Sequence, residues 1–476
     1  MTNIVQERLE NPTYAEADGD SATRLAARRL HEIAVVELPS NVLDAATTCL
    51  LDFFAACIGG LSTPWAPAVL QYVAGRAGAG QAHQWGSPVA VPAEIAAFGN
   101  ATLGHSLISD DMHVMSASHI GVPVIPAALA LAERDGWSGR ALLRAIVGGY
   151  EMATRLGVAI RTGGGNDHFR PSGINGPFGA AAAGIAGVDL DEETAANALG
   201  FAANAAAGVN EWPWAGGQEI YTHAGMAARN GVAAFDLARC GLRASASVLE
   251  GRNGVFAAYG AGEAGTQAFI SSLSNGYAIL KTRHKPFAGC NLIQSPLAAA
   301  LKAAREIAGR QHEIQEIVIR TFAQARSYPG CDNTGPFTQV QQSKMSLQYG
   351  VASALLYGRV DEATYACFED PQLLELIART RIEVVPEYQA YLQKLMQPAC
   401  VEVWLREGET IVASVDDVPW LSDEAVEERF RRQAPPFLSL TDANRVVEHI
   451  HALWASDTCT PLFELFAETR SNNQQR

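Results

Sequence analysis

The sequence has little charge for its length and no run of lysine and arginine long enough to follow a nucleic-acid backbone. It contains 35 basic and 50 acidic residues, with a formal net charge of −15. A chain this acidic repels polyanions at long range. We therefore expect no nucleic-acid partner, and a site for an anionic substrate has to gather its cations locally.

Several other common signals are missing. The eight cysteines form no C-x-x-C motif, so neither a zinc centre nor a disulfide framework is predicted. The first twenty residues lack the apolar segment of a secretory signal, and no stretch reaches the roughly 18 uninterrupted apolar residues of a membrane helix. Walker A and G-x-S-x-G motifs are absent as well. We expect a cytoplasmic protein that binds no membrane.

The length and the 48% hydrophobic content predict a well-packed protein of two domains. Between residues 22 and 267, apolar residues recur at helical spacing, as in RLAARRLHEIAVVE. We expect Ser40 to cap the next helix and Gly59 and Gly60 to end it. This part is predicted to be all-helical, preceded by a tail over residues 1–21.

The pattern changes after residue 268. The segments EIQEIVIRTF, RIEVVPEY and CVEVWLREGETIVASV alternate like strands, and the last contains a Glu-Gly turn. QQSKMSLQYGVASALLYG and DPQLLELIART are predicted to be helices between the strands. We predict an α+β lid domain over residues 268–420 and a return to the helical domain over 421–476. The predicted fold class is mainly α.

One polar loop precedes a smooth apolar helix. The stretch GHSLISDDMHVMSASHIG places His105, Asp110, Asp111, His113 and His119 within fifteen residues. A histidine exchanges protons near neutral pH, which favours general acid or base catalysis. Metal binding is an alternative, although no H-E-x-x-H motif is present. A capped turn around a buried histidine would also explain the pattern.

Two further segments carry cations. KTRHKPFAGCN places Lys281, Arg283, His284 and Lys285 within five positions. This cluster is either a carboxylate or phosphate receptor or a solvated basic turn. Cys290 in the same segment is either a nucleophile or a buried thiol.

A glycine-rich segment, GGGNDHFRPSGINGPFG, carries His168 and Arg170 ahead of a helix. The N-terminus of that helix would favour an anion. A mobile surface loop would explain the same composition, and the sequence leaves both interpretations open.

Seven segments in order resemble the MmgE/PrpD family, which includes 2-methylcitrate dehydratases, cis-aconitate decarboxylases and iminodisuccinate epimerases. The resemblance implies a helical domain, an α+β lid, a homodimer, and an active site in the cleft without metal or organic cofactor. The segments are WGSPVAVPAEIAAFGNATLGHSLISDDMH, SHIGVPVIPAALALAE, GWSGRALLRAIVGGYEMATRLG, RPSGINGPFGAAAAG, THAGMAARNGVAAFDLARCG, KPFAGCN and SKMSLQYGVASALLYG.

The resemblance also implies roles for individual residues. It implies catalytic roles for the polar loop that contains Asp110 and His119 and for Lys285 in the predicted lid domain, and it implies substrate contacts at several further positions. The implied catalytic residues are Asp110, Asp111, His119 and Lys285, and the implied substrate-binding residues are His168, Arg170, His223, Arg283, Cys290, Asn291 and Tyr328.

Five positions depart from the family pattern. Ile108, Met112 and Ile220 stand where the family has an aspartate, a threonine and a lysine. Arg170 and Asn291 also replace family histidines. Such losses change which protons move and which carboxylates are neutralised.

These observations predict a cofactor-independent lyase, of the dehydratase or decarboxylase type, acting on a small organic acid. His119 would transfer a proton next to a carboxylate while Asp110 or Asp111 orients it, and Arg170, Arg283 and Lys285 would neutralise charge. An isomerase or epimerase using the same carbanion-like step is one alternative. A pseudoenzyme that binds a small ligand is another, and a metal hydrolase is a third.

Overall fold

The computed structural model describes residues 21–78, 80–165, 168–435 and 437–465. The predicted tail lies outside these ranges except for its last residue, Ser21, which caps the first helix. The described chain is mainly helical, with one small mixed sheet in its C-terminal half, which confirms the predicted fold class.

Ten longer helices form the first part of the chain. They are α1 (Ala22–Val35), α2 (Ser40–Gly60), α3 (Ala66–Ala74), α4 (Ala93–Gly104), α5 (Gly121–Asp135), α6 (Gly139–Thr162), α7 (Pro171–Val188), α8 (Glu192–Ala203), α9 (Glu219–Arg239) and α10 (Gly262–Ser272). Two short helices (Trp212–Ala215 and Val255–Ala258) and a two-stranded ribbon, β1 (Ala82–His83) with β2 (Ala90–Val91), complete this part.

The second part contains the sheet. Its longer elements are α11 (Gln294–Ile307), β3 (Ile314–Thr321), α12 (Leu347–Tyr357), α13 (Pro371–Ala378), β4 (Thr380–Val384), β5 (Ala399–Leu405) and β6 (Thr410–Val415). Short α-helices span Ala323–Ser327, Val340–Ser343, Glu362–Tyr365 and Gln389–Leu392. The last helices are α14 (Asp423–Gln433) and α15 (Leu440–Ala452).

The sheet has the order β4-β3-β5-β6. β3 and β4 are parallel, whereas β5 pairs antiparallel with both β3 and β6. Glu407 and Gly408, with φ of 71° and 83°, form the predicted turn between β5 and β6. Helix α11 packs on β5 and β6, so the sheet has a helical cover.

Close helix packing in the first part depends on small residues. A Cβ on Gly149 of α6 would lie 2.3 Å from Val124 Cγ1, and one on Gly179 of α7 would lie 2.8 Å from Ala153 Cβ. Glycine and alanine therefore let α5, α6 and α7 approach closely. These helices hold the loop between α4 and α5 in a rigid setting.

Among the described residues, one helix, α2, has the length and composition to cross a membrane. This helix does not contain an uninterrupted apolar stretch, because Thr47, Thr48 and Asp52 interrupt its apolar residues. In the structure, 78% of its most apolar window is buried inside the protein. That burial is typical of a core helix.

Two predictions of helix boundaries were wrong. Ser40 is the first residue of α2, and Pro39 stands at the N-cap without a side-chain hydrogen bond. The segment QQSKMSLQYGVASALLYG is not one helix, because it breaks between Ser343 and Leu347, where Ser346 caps α12.

Two hydrophobic cores meet near the polar loop. The larger belongs to the helices of the first part together with α14 and α15. The second lies under the sheet, and it also takes in Ile108, Trp212, Ile220 and Tyr221 from the first part. The loop between α4 and α5 is therefore packed at the place where the two cores meet.

Candidate active site

The loop between α4 and α5 is buried. It begins at His105, the C-cap of α4, and ends at Ile120, just before α5. Ile108 has a φ of 55°, a conformation that is rare for a β-branched residue. This turn directs the Ile108 carbonyl oxygen to the ammonium group of Lys285.

Asp110 lies between two imidazoles. Its carboxylate is 3.0 Å from His105 Nδ1 and 2.8 Å from His119 Nδ1. The two histidine rings meet edge to face, with centroids 4.8 Å apart. Although burial opposes ionisation, these two contacts hold the pKa of Asp110 well below its ordinary value. Asp110 is therefore an anion that fixes two ring orientations.

Arg170 determines the tautomer of His105. Its guanidinium lies 2.9 Å from His105 Nε2, and a guanidinium can only donate. His105 Nε2 is therefore an acceptor, and its proton sits on Nδ1, facing Asp110. Burial lowers the pKa of His105, and Arg170 lowers it further. His105 is neutral and connects Arg170 to Asp110.

His119 faces the cavity. Its backbone N–H donates to Ser172 Oγ at 2.9 Å, which ties the residue to the start of α7. Because Nδ1 is turned to Asp110, Nε2 is the nitrogen left for a ligand. Burial lowers the pKa of His119 to about 3. At neutral pH His119 is therefore an uncharged imidazole with a basic nitrogen at the cavity.

Lys285 lies behind the loop. It is fully buried, and its ammonium contacts the carbonyl oxygens of Ile108 and, at 3.3 Å, Gly289. Burial lowers its pKa to about 8, although Asp110 counteracts that effect. Lys285 does not line the cavity, so its positive charge acts on the loop from behind.

A cavity of about 740 Å³ opens beside His119. Residues from the loop, from α6, from the start of α7 and from the sheet-containing part line it. Five of the predicted site residues are brought together there, namely His119, Arg170, Cys290, Asn291 and Tyr328.

The three residues from the sheet-containing part have different environments. Asn291 Nδ2 donates to Gln397 Oε1 at 3.1 Å. A hydrogen bond from Cys331 lowers the pKa of Cys290, whereas burial alone would raise it. Burial raises the pKa of Tyr328, so Tyr328 is a neutral phenol. Asn291 and Tyr328 offer hydrogen bonds, and Cys290 is a buried thiol beside the cavity.

Four predicted site residues lie elsewhere. Asp111 is turned into the helical core, where it accepts hydrogen bonds from Gly121 N–H and the Tyr150 hydroxyl. His168 is exposed. His223 packs beside Gly208, and burial lowers its pKa to about 4. Arg283 lines a different cleft. None of these four lines the cavity at His119.

The expected four-cation cluster is split by backbone geometry. Lys281 and Arg283 are exposed, whereas His284 and Lys285 are buried. Arg283 pairs with Met112 through two backbone hydrogen bonds of 2.8 Å, and neighbouring side chains in such extended backbone point in opposite directions. The segment is therefore neither one receptor nor a fully solvated turn.

His284 belongs to a second buried network. Its Nδ1 lies 3.0 Å from Asp52, which also pairs with Arg429 of α14. Arg429 and His284 lower the pKa of Asp52 against the effect of burial. Arg429 also donates to the backbone carbonyls of Ser109, at 3.4 Å, and Lys285, at 3.1 Å. This network fixes both the loop and the segment carrying Lys285.

Possible metal ligands converge in the loop. Ligand atoms of His105, Asp110 and His119 lie within 4.8 Å of one another. However, Arg170 occupies Nε2 of His105, and both Nδ1 atoms face Asp110. A divalent cation would meet the positive charges of Arg170 and Lys285, so the arrangement fits proton transfer better than metal binding.

Four residues at the site were not predicted from the sequence. His105 was seen in the loop but given no role, although it stands five residues before Asp110 and at the end of a helix. Arg161, Trp212 and Gln397 line the cavity, yet each lies on a different segment with no motif. Only the packing of these distant segments brings them together.

The chain was compared with known proteins. The MmgE/PrpD N-terminal domain matches residues 24–268, and the MmgE/PrpD C-terminal domain matches residues 287–455. Cis-aconitate decarboxylase from Aspergillus terreus (strain NIH 2624 / FGSC A1156) is 25% identical, over 95% of this chain and 98% of the relative. Cis-aconitate decarboxylase from Homo sapiens is 26% identical, over 94% of each chain. With both family domains matched in order, the chain belongs to the MmgE/PrpD family.

Proposed function

We propose that the protein is a lyase that acts without a cofactor on an organic acid, by proton transfer at a carbon next to a carboxylate. The family match and the decarboxylase relatives support a lyase for small organic acids. The proposed step and its independence of a cofactor rest on the arrangement of side chains.

The observation that carries the proposal is the contact between Asp110 and His119 at the cavity wall. The carboxylate lies 2.8 Å from Nδ1, so it holds the ring with Nε2 available to a substrate. Burial keeps this imidazole neutral. A neutral, oriented imidazole has a free nitrogen to accept a proton, and a substrate carboxylate bound beside it would raise its pKa towards the range in which a general base is effective.

Charge stabilisation would come from Arg170. It lines the same cavity as His119, and a guanidinium binds carboxylates with two parallel hydrogen bonds. Bound there, the carboxylate would draw electron density as negative charge develops on the neighbouring carbon. Asn291 and Tyr328 would supply neutral hydrogen bonds to the same substrate.

The same groups serve dehydration and decarboxylation. In a dehydration, His119 Nε2 takes the proton and hydroxide leaves from the adjacent carbon. In a decarboxylation, carbon dioxide leaves and the carbon takes up a proton. A bound carboxylate raises the pKa of a neighbouring imidazole, so His119 can carry that proton. An isomerase would return the proton to the opposite face.

The proposal is tested by incubating organic acids with the protein in D₂O and following carbon-bound hydrogen by NMR, together with carbon dioxide release. We expect deuterium in the product and a rate that falls about 10²- to 10⁴-fold in His119→Ala. His312→Ala is the matched control, because His312 is an exposed histidine in the sheet-containing part.

Turnover that is unchanged in His119→Ala would show the proposal to be wrong. Deuterium exchange without loss of water or carbon dioxide would identify an isomerase instead. The absence of turnover with any acid, combined with a thermal shift on ligand binding, would support a non-catalytic binding protein.

A further inference from the structure

We propose that the substrate is a mono- or dicarboxylate that carries an apolar substituent, rather than a tricarboxylate such as cis-aconitate. This inference rests on the proposed function, because it names the class of acid that the same cavity accepts. It follows from the chemical character of the cavity wall.

Both sides of the cavity carry apolar residues. Ile108 and Met112 come from the loop and Ile220 from the first turn of α9, while Leu292, Met345 and Leu392 come from the sheet-containing part. The polar residues of the sheet-containing part that share this lining are neutral, namely Asn291, Gln324, Tyr328 and Gln397. A ligand in the cavity therefore meets an apolar surface on each side and a few neutral hydrogen-bonding groups.

The cationic groups are few. Among the described residues that line the cavity, the two arginines are Arg161 and Arg170, and Lys285 and Lys344 are not part of the lining. Arg170 already donates to His105, and its guanidinium lies 5.1 Å from the centre of the Trp212 ring. The positive charges of these two arginines are enough to neutralise one or two substrate carboxylates.

A third carboxylate would find no further cation among the described lining residues and would lie against neutral side chains, most of them apolar. Burying an ionised carboxylate without a charged partner is costly, whereas burying an alkyl group against apolar side chains is favourable. Leu292, Met345 and Leu392 line the cavity, and an alkyl substituent on the substrate would pack against them.

The test compares ligands that differ in one group. Maleate carrying a 2-ethyl, 2-propyl or 2-butyl substituent is compared with cis-aconitate, which is maleate carrying a carboxymethyl group. Binding is measured by isothermal titration calorimetry with full-length His119→Asn protein, so that turnover does not interfere. We expect Kd to fall about fourfold per added methylene, and 2-propylmaleate to bind at least about tenfold more tightly than cis-aconitate.

Any other order overturns the inference. This includes tighter binding of cis-aconitate, a Kd that is constant or rises with alkyl length, and no binding by any member of the series. Because the assay measures binding and not turnover, it tests the substrate class independently of the proposed lyase reaction. If turnover depends on His119 but cis-aconitate binds more tightly than the alkyl maleates, the proposed lyase function stands and the proposed substrate class is wrong.

A pair of variants tests the wall directly. Ile220→Lys places a cation on the apolar surface, and we expect it to tighten cis-aconitate binding about tenfold or more relative to 2-propylmaleate. Ile220→Met keeps the wall apolar and is expected to keep the original preference. Thermal unfolding shows whether each variant is folded, and if Ile220→Lys does not fold, the ligand series alone decides.

Discussion

Asp110 connects the two halves of the candidate site at the scale of single residues. It holds His119 towards the cavity and, through His105, it is linked to Arg170. A proton-transferring group and an anion-binding group are therefore oriented by one carboxylate. An amide at this position would carry no negative charge to attract the two rings.

We expect Asp110→Asn to lower kcat about 10²- to 10⁴-fold, because His119 loses the anion that fixes its ring and tautomer. KM should change much less, since Arg170 still lines the cavity. Steady-state kinetics with the substrate found by NMR will measure both constants. A kcat within threefold of the wild type would mean that Asp110 does not orient His119.

The titration of Lys285 is expected to set the alkaline limb of the dependence of kcat/KM on pH. Its pKa is lowered to about 8 by burial, so it is charged below that pH and loses its proton as the pH rises through it. We expect kcat/KM to decline above pH of about 8, because the loop then loses the positive charge behind it. Lys285→Met should be less active and lack this limb.

Cys290 is the control for that assignment, since its thiol lies beside the cavity and its pKa is lowered by Cys331. Cys290→Ser should retain the decline near pH 8. Loss of the decline in Cys290→Ser would assign it to the thiol instead of the lysine.

At the scale of elements, α14 holds the segments of the candidate site in place through the contacts of Arg429. This helix packs on α2, and Arg429 joins Asp52 of α2 to the backbone of Ser109, in the loop between α4 and α5, and to the backbone of Lys285. The carboxylate and the guanidinium are both buried. Removing Asp52 leaves the buried guanidinium without its counter-ion, and removing Arg429 leaves the buried carboxylate with the His284 ring as its neighbour in place of a guanidinium.

We expect Arg429→Met to lower the free energy of unfolding by about 3–5 kcal/mol. The double variant with Asp52→Asn should recover more than half of that loss, because no buried charge is then unpaired. Arg431→Met is the control on the same helix, where an ion pair with Glu427 should be worth no more than about 0.5 kcal/mol. Urea unfolding will measure all three differences, and equal losses in the single and double variants would contradict the charge argument.

Elements were predicted well where the local pattern decides them. The helices of the first part and the turn between β5 and β6 follow from periodicity and from the Glu407-Gly408 pair. The boundary at Ser40 was wrong because proline and serine both suit a helix start, and termini shift by a residue or two. The split between Arg283 and His284 depends on a backbone pairing of Arg283 with Met112, which is distant in sequence.

The candidate site was predicted in part for the same reason. His119 and Asp110 stand in one loop, so sequence proximity pointed to them. Arg161, Trp212 and Gln397 reach the cavity through tertiary packing alone. Asp111, although adjacent to Asp110, turns the other way into the helical core.

At the scale of the whole molecule, Asp111 predicts how stability depends on pH. Burial and the nearby Asp52 raise its pKa to about 6, above the unfolded value of about 3.9. The folded state therefore binds the extra proton. Its contribution to stability is complete below pH 4 and is lost as the pH rises through about 6.

We expect the wild type to lose about 2 kcal/mol of stability relative to Asp111→Asn between pH 4 and pH 7. Asparagine keeps the shape and a hydrogen-bond acceptor for Gly121 but does not ionise. The difference between the two unfolding free energies, measured across this range, removes the effect of every other titrating group. A constant difference would show that Asp111 is ionised throughout.

The position of Arg429 has a consequence for how the protein is made. A ribosome synthesises α14 after the loop between α4 and α5 and after the segment carrying Lys285. Arg429 of α14 nevertheless binds the backbone of both. The N-terminal helices can fold during synthesis, but the loop acquires its final contacts only after the nascent chain has passed residue 429. Translation that stops before that point yields a protein in which Ser109 and Lys285 lack their contacts with Arg429.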